Sequence, residues 1–169
     1  MAKRFNESLI FDQDTYVIRV PNATGIADRF FQKAQETLAK LEFPNLDTSL
    51  EDFKTGGFIF NKEVTRMLSV SPSKSAFDDF GFYLRAQAFG NVVVFSKFET
   101  IDIGFLDLFK KDMQYAVNRR ERIRDNCKNM AQREEFSAIT RLGVYMFYDA
   151  LEVIDPDLDK ERIKDKLKN

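Results

Sequence analysis

The spacing of hydrophobic side chains divides the first half of the chain into elements. Residues 16–20 are rich in β-branched and aromatic side chains, which predicts a short strand. From Ile26 the apolar side chains recur every three to four residues, which predicts an amphipathic helix that is capped by Thr24 and ends near Leu41. Residues 46–53 are expected to form one short helical turn.

Between residues 58 and 102 the hydrophobic period changes to two, which is typical of β-strands. Strands are expected near residues 58–60, 64–70, 80–89 and 92–101. Gly90 and Asn91 separate the last two strands, and a glycine in the first position of a two-residue connection predicts a type II′ hairpin with Phe89 opposite Val92.

The predicted hairpin has two faces of different composition. One face is apolar except for Lys97 and Glu99, and its other members are Phe80, Phe82, Leu84, Ala86, Ala88, Val93, Phe95 and Ile101. The opposite face mixes aromatic, polar and charged side chains, among them Tyr83, Arg85, Gln87 and Phe98. Such a face is too apolar for water and too polar for a dry core, so these four residues are predicted to line either a pocket or a covered sheet face.

Residues 104–154 contain no proline, which favours helix throughout, with a break expected near residues 126–134. In the first half of this region, apolar side chains follow the alternating spacing of three and four that is typical of a helical seam. The predicted partner-binding seam consists of Phe109, Met113, Ala116, Arg120 and Ile123. The two halves are expected to form a helical hairpin.

A basic block covers residues 110–133, with eight basic and three acidic side chains. Arg119, Arg122 and Arg124 are the candidate contacts to an anion or a partner, because arginine binds phosphate and carboxylate groups in bidentate geometry. Nucleic-acid binding is one interpretation of this block. Pairing with the acidic side chains of residues 134–154 in the helical hairpin is favoured over it.

The order of elements predicts an α+β fold, in which an antiparallel sheet packs on an N-terminal helix and a long C-terminal helical region. A single domain is expected, with an α+β body over residues 1–103 and a helical region over 104–169. The order resembles the helix-grip folds in topology only, and that resemblance implies an apolar pocket between sheet and helix.

Composition narrows the chemistry of this 169-residue chain. Histidine is absent and there is one cysteine, so imidazole catalysis, the usual zinc sites and an internal disulfide are excluded. No catalytic residue, metal site or cofactor is predicted, and the absence of a signal peptide or spanning segment favours the cytoplasm. The leading hypothesis is a non-enzymatic protein that binds a protein partner or a second copy. A binder or enzyme with an apolar, helix-grip-like pocket is the alternative, followed by nucleic-acid binding.

Overall fold

The computed structural model describes residues 2–55, 63–75, 77, 80–101, 123–124 and 127–158. These residues form an α+β fold with a mixed six-stranded sheet and two helices. In chain order the elements are β1 (Lys3–Arg4), a 3₁₀ turn (Glu7–Leu9), β2 (Ile10–Arg19), α1 (Ile26–Leu41), β3 (Leu46–Thr55), β4 (Glu63–Pro72), β5 (Phe80–Phe89), β6 (Val92–Ile101) and α2 (Met130–Glu152).

The strands lie in the order β1-β3-β4-β5-β6-β2. All neighbours are antiparallel except β1 and β3, whose pairing is parallel and places Lys3 beside Phe53. The strands β1 and β2 lie at opposite edges of the sheet although only residues 5–9 separate them in the chain. The chain therefore crosses one face of the sheet between these two strands.

The hairpin of β5 and β6 is confirmed, with both strands spanning the predicted residues. Phe89 lies opposite Val92, as the turn chemistry requires. Gly90 has a φ of 63°, which glycine adopts at little steric cost and which the first position of a type II′ turn needs.

One predicted strand is longer in the structure, and one predicted helical turn is wrong. The strand predicted over residues 16–20 begins at Ile10, because a register shift between Ile10 and Asp12 and two inward-facing aspartates interrupt the apolar alternation. The helical turn predicted over 46–53 is the strand β3. Leu46 is partly buried on one face of this strand, whereas Phe53 and Thr55 are buried on the other, so no single apolar stripe marks it.

Other predicted boundaries have mixed outcomes. The strand over 64–70 is confirmed within β4, whereas 58–60 lies outside the described residues. The helix α1 ends at Leu41 as predicted, but its N-cap is Gly25 in a left-handed conformation, and Thr24 instead donates its backbone N–H to Asn22 Oδ1 at 2.9 Å.

Both helices pack on the same side of the sheet, which we call the inner face. The ring of Phe30 on α1 lies 4.9 Å from that of Phe95 on β6, and Thr37 of α1 donates a hydrogen bond to Asp149 of α2 at 3.2 Å. The opposite side, the outer face, has a smaller core made of Phe5, Phe53, Met67 and Phe98. The N-terminal segment supplies Phe5, so it is this segment that crosses the outer face.

The helix α2 begins inside the predicted break, where Asn129 accepts a hydrogen bond from the backbone N–H of Gln132 at 3.0 Å. Residues 104–122 lie outside the described part, so the division at residues 103 and 104 and the helical hairpin stay predictions. Of the helices that the structure describes, none has a segment long and apolar enough to cross a membrane.

Candidate functional site

The inner face contains a cluster of charged side chains where β2 pairs with β6. Register places Asp12 opposite Glu99 and Asp14 opposite Lys97, and all four side chains lie on the helix-covered side of the sheet. We call these four residues the inner charge cluster. Lys97 and Glu99 are fully buried, Asp14 is nearly so, and the side chain of Asp12 is 35% exposed. The cluster therefore meets solvent through Asp12.

The ammonium group of Lys97 lies at the centre of the cluster. Its Nζ is 2.5 Å from Glu99 Oε1, 3.4 Å from Asp12 Oδ2 and 3.8 Å from Asp14 Oδ2. A lysine ammonium has three N–H donors, so three carboxylates around it match its hydrogen-bonding capacity. The pairing satisfies a buried cation that would otherwise be very costly to remove from water.

The helix α2 covers the aliphatic stem of this lysine at Gly143. A Cβ atom added to Gly143 would lie 3.7 Å from Lys97 Cδ and 3.5 Å from the Phe82 ring. The glycine thus allows a close approach of helix to sheet at this point. Nearby, the Tyr16 hydroxyl donates to the Asp155 carboxylate and ties β2 to the chain that follows α2.

The sequence analysis singled out Lys97 and Glu99 as the only polar side chains of an apolar face, but did not make them site residues. That exception was the available signal, because an isolated charge on a core face requires a partner. The cluster offers no metal site: the described residues contain no group of acidic or cysteine side chains suited to a metal ion, and the lysine would repel one. The cluster joins β2 to β6 through ion pairs in addition to the backbone pairing of the two strands.

The outer face contains Tyr83, Arg85, Gln87 and Phe98. These four residues lie on the same side of the β5–β6 hairpin, as the sequence predicted. The rings of Tyr83 and Phe98 lie 4.9 Å and 5.7 Å from that of Phe5, so the N-terminal segment covers this end of the face. Burial raises the pKa of the Tyr83 hydroxyl above its ordinary value of 10.0. Gln87 donates to Glu63 Oε1 at 2.5 Å.

Arg85 differs from these neighbours because its Nε has no hydrogen-bond partner in the part of the chain that the structure describes. It lies over the Phe98 ring, 5.4 Å from the centroid, and its Nε is buried. Ser96 stands directly opposite on β6, and its hydroxyl is also buried and unpartnered. Two buried polar groups without a hydrogen-bond partner therefore lie side by side on adjacent strands.

An apolar patch adjoins this pair at the hairpin end of the outer face. Val17 and Phe89 are each 57% exposed. Val94, opposite Val17, and Val92, opposite Phe89, are partly buried beside them. We call these four residues the outer patch. Sequence reasoning placed Phe89, Val92 and Val94 on the mixed face of the hairpin. It did not add Val17, because that residue was assigned to a short strand whose neighbours in the sheet were not predicted.

The other predicted site residues fall mostly outside the described part of the chain. These are Phe109, Met113, Ala116 and Arg120 of the seam, and Arg119 and Arg122 of the basic block. Of the two that are described, Ile123 is 4% exposed within the main core and Arg124 is exposed. The seam and the basic block as binding surfaces stay predictions.

Comparison with protein-family models, with curated proteins and with solved structures finds no match for this chain. The candidate sites are therefore defined by their geometry alone.

Proposed function

We propose that this chain is an interaction protein that binds a protein partner on the outer face of its sheet. The observation that carries the proposal is the outer patch, where two large apolar side chains more than half exposed stand in neighbouring cross-strand rows. Clustered apolar exposure marks interaction surfaces, whereas single exposed residues need no explanation.

The size of the patch favours a partner that binds reversibly. A stable protein interface buries roughly 800 Å² on each side, which takes about 20 to 30 residues. Four apolar residues are far fewer, so they suit the apolar anchor of a short segment of a partner better than an obligate second copy.

The apolar-pocket hypothesis and the nucleic-acid hypothesis both stay predictions. Phe80, Phe82 and Phe95 lie on the apolar hairpin face between sheet and helices, where the helix-grip resemblance implies a pocket. They are buried, and Phe95 packs on Phe30 of α1. Nucleic-acid binding rests on the basic block, of which the structure describes only the C-terminal part. No contact among the described residues favours either hypothesis over partner binding.

The test compares variants of the patch with a matched control. Val17→Asp and Phe89→Asp place a charge in the outer patch, and Val64→Asp does the same at a valine that is 56% exposed on the inner side of β4. Proteins enriched from the source cells with each variant are identified, and each candidate is then purified and mixed with the chain. Calorimetry measures the affinity of the reconstituted pair.

We expect a binary complex that the wild-type chain and Val64→Asp form and that both patch variants weaken at least tenfold. Thermal unfolding of each variant shows that the loss is not a folding defect. A reconstituted complex that is indifferent to both patch variants would overturn the proposal. Sedimentation of the chain alone supplies a second criterion. Self-association that the patch variants abolish would show that the outer patch binds a second copy of the chain and not a different protein.

A further inference from the structure

We infer that Arg85 and Ser96 form a carboxylate-binding subsite, and that the partner is an extended acidic segment whose carboxylate bonds to this pair while an apolar side chain covers the outer patch. This inference rests on the proposed function and names the chemistry of its partner.

The first step concerns the unpaired donors. Arg85 carries a permanent charge and is half-buried, its Nε has no hydrogen-bond partner among the described residues, and the hydroxyl of Ser96 opposite it is buried without one. Buried donors without acceptors are rare in native proteins and cost free energy. A carboxylate has two oxygens with about four lone-pair sites, so one such group can accept from both residues.

The second step concerns the orientation of the guanidinium. Arg85 lies over Phe98, and Phe98 is held in turn by Phe5. An aromatic ring under a guanidinium restricts its rotation and presents its planar edge to the surroundings. The orientation of the guanidinium is thus set before a ligand arrives, which lowers the entropy that binding costs. Arg85 Nε and Ser96 Oγ are buried in the free chain, so the ligand reaches them only when the side chains that cover them move aside.

The third step gives the spacing of the ligand. Arg85 and Phe89 lie on one face of the same strand, four residues apart, which corresponds to about 13 Å. Val17 lies on β2, two strands away from Arg85 and two residues along the chain from Thr15, which pairs with Ser96. At ordinary strand spacing this corresponds to about 12 Å. In an extended segment, side chains four residues apart also share a face at about 13 Å. The fitting segment therefore carries an acidic residue and an apolar residue four positions apart.

The fourth step is a contrast with other arginines of the sheet. Arg66 lies 3.7 Å from Asp52, and Arg19 is exposed at the hairpin end of the outer face, opposite Val92. Neither combines burial, a ring beneath the guanidinium and a neighbouring unpartnered hydroxyl. Arg19 is therefore a matched control for Arg85.

The experiment uses the full chain labelled with ¹⁵N, in which arginine Nε–H resonances are observed directly. The probe is a capped, threonine-rich peptide with one Glu and, four residues later, one Leu. Its controls are the same peptide with Gln in place of Glu, a peptide with the two residues three positions apart, and inorganic phosphate. Arg85→Gln assigns the resonance, and Arg19→Gln and Ser96→Ala complete the set of variants.

We expect the Glu peptide to shift the Arg85 resonance saturably and by much more than that of Arg19, whose position opposite Val92 puts it beside the patch but not in the carboxylate subsite. Replacing Glu by Gln should weaken binding about tenfold or more, since a hydrogen bond to a charged group is involved. The change in spacing and Ser96→Ala should each weaken binding several-fold, and Arg19→Gln should not.

Three results would overturn the inference. Arginine resonances that all shift alike would indicate screening by a general ion, and a response to phosphate but not to the Glu peptide would indicate another anion. Equal binding of the Glu and Gln peptides that Val17→Asp abolishes would refute the carboxylate subsite while leaving the proposed function intact. Failure of the proposed function would instead show as a reconstituted complex unaffected by the patch variants.

Discussion

Replacing Lys97 by Met leaves the inner charge cluster without its cation. The lysine is fully buried and its Nζ lies 2.5 Å from Glu99. At an effective dielectric constant near 20, charges at this separation attract by about 7 kcal/mol, and desolvation of several kcal/mol per ion offsets most of that gain. Removing one partner leaves the other charge buried and uncompensated, so we expect a loss of about 4 kcal/mol in the free energy of unfolding.

The double variant Lys97→Met with Glu99→Leu separates pairing from packing. It removes the two buried charges together, and replacing a buried ion pair by apolar side chains is often neutral or stabilising. We expect it to be about 2 kcal/mol more stable than Lys97→Met alone, although the lost contact to Asp14 keeps it below the wild-type chain.

Urea unfolding followed by circular dichroism measures these differences, because urea is uncharged and does not screen ion pairs. Lys54→Met is the matched control, since Lys54 is exposed on β3 and its loss should stay within about 0.5 kcal/mol. A loss below about 1 kcal/mol in the free energy of unfolding for Lys97→Met would refute the reasoning, because an uncompensated buried carboxylate destabilises a fold by more than that. A double variant that is less stable than Lys97→Met alone would show that Glu99 stabilises the fold through its packing and not through its charge.

The remaining predictions concern the outer face and α2. Phe5→Ala should cost about 3 kcal/mol and move the pKa of Tyr83 down towards 10.0, because the covering ring is lost, as read from tyrosinate absorbance with Tyr83→Phe as reference. The hydrogen bond from Lys3 lowers the pKa of Glu51 below 4.5, so its stabilisation is present above that pH and is lost as the pH falls through the lowered value. Urea unfolding at a series of acidic pH values should show a shallower dependence for Glu51→Gln. Gly143→Ala should stabilise the fold by about 0.5 to 1 kcal/mol in thermal unfolding, since the added Cβ would make ordinary van der Waals contacts. Destabilisation would show that α2 packs too closely on the sheet to accept this Cβ.

Sequence reasoning succeeded where one physical signal was uninterrupted. The strands β5 and β6 alternate strictly on both sides of a glycine that the turn needs, so their bounds and pairing could be predicted to the residue. The helix α1 has an apolar stripe of helical period, and its end at Leu41 followed from it.

The failures occur where the buried side of a strand is not simply apolar. In β2 the inward positions near the start are Asp12 and Asp14, whose partners come from β6, about 85 residues along the chain. In β3, Leu46 is partly buried on the inner face, whereas Phe53 is buried on the outer face under Phe5. Neither pattern reads as a strand until the tertiary partners are known, since periodicity reports burial only when one face is consistently apolar.

The same limit applies to the candidate sites. The mixed outer face was recognised from composition, because Tyr83, Arg85, Gln87 and Phe98 alternate with core residues. The absence of a described acceptor for Arg85 Nε could not be recognised, since it depends on where the acceptors of the fold lie.

The two sheet faces are coupled through the register of β5 and β6. Leu84 pairs with Lys97 on the inner face, and the next residues, Arg85 and Ser96, pair on the outer face. A slip of one residue would carry Lys97 outward and leave Glu99 without its partner, because side chains alternate between faces. The cost of that slip fixes the register, and the register places Ser96 opposite Arg85. Three carboxylates surround the inward cation, whereas no described residue accepts a hydrogen bond from Nε of its outward neighbour Arg85. Among the described residues no acceptor contacts Arg85 Nε, and the proposed carboxylate ligand would both accept from it and neutralise the charge of the guanidinium.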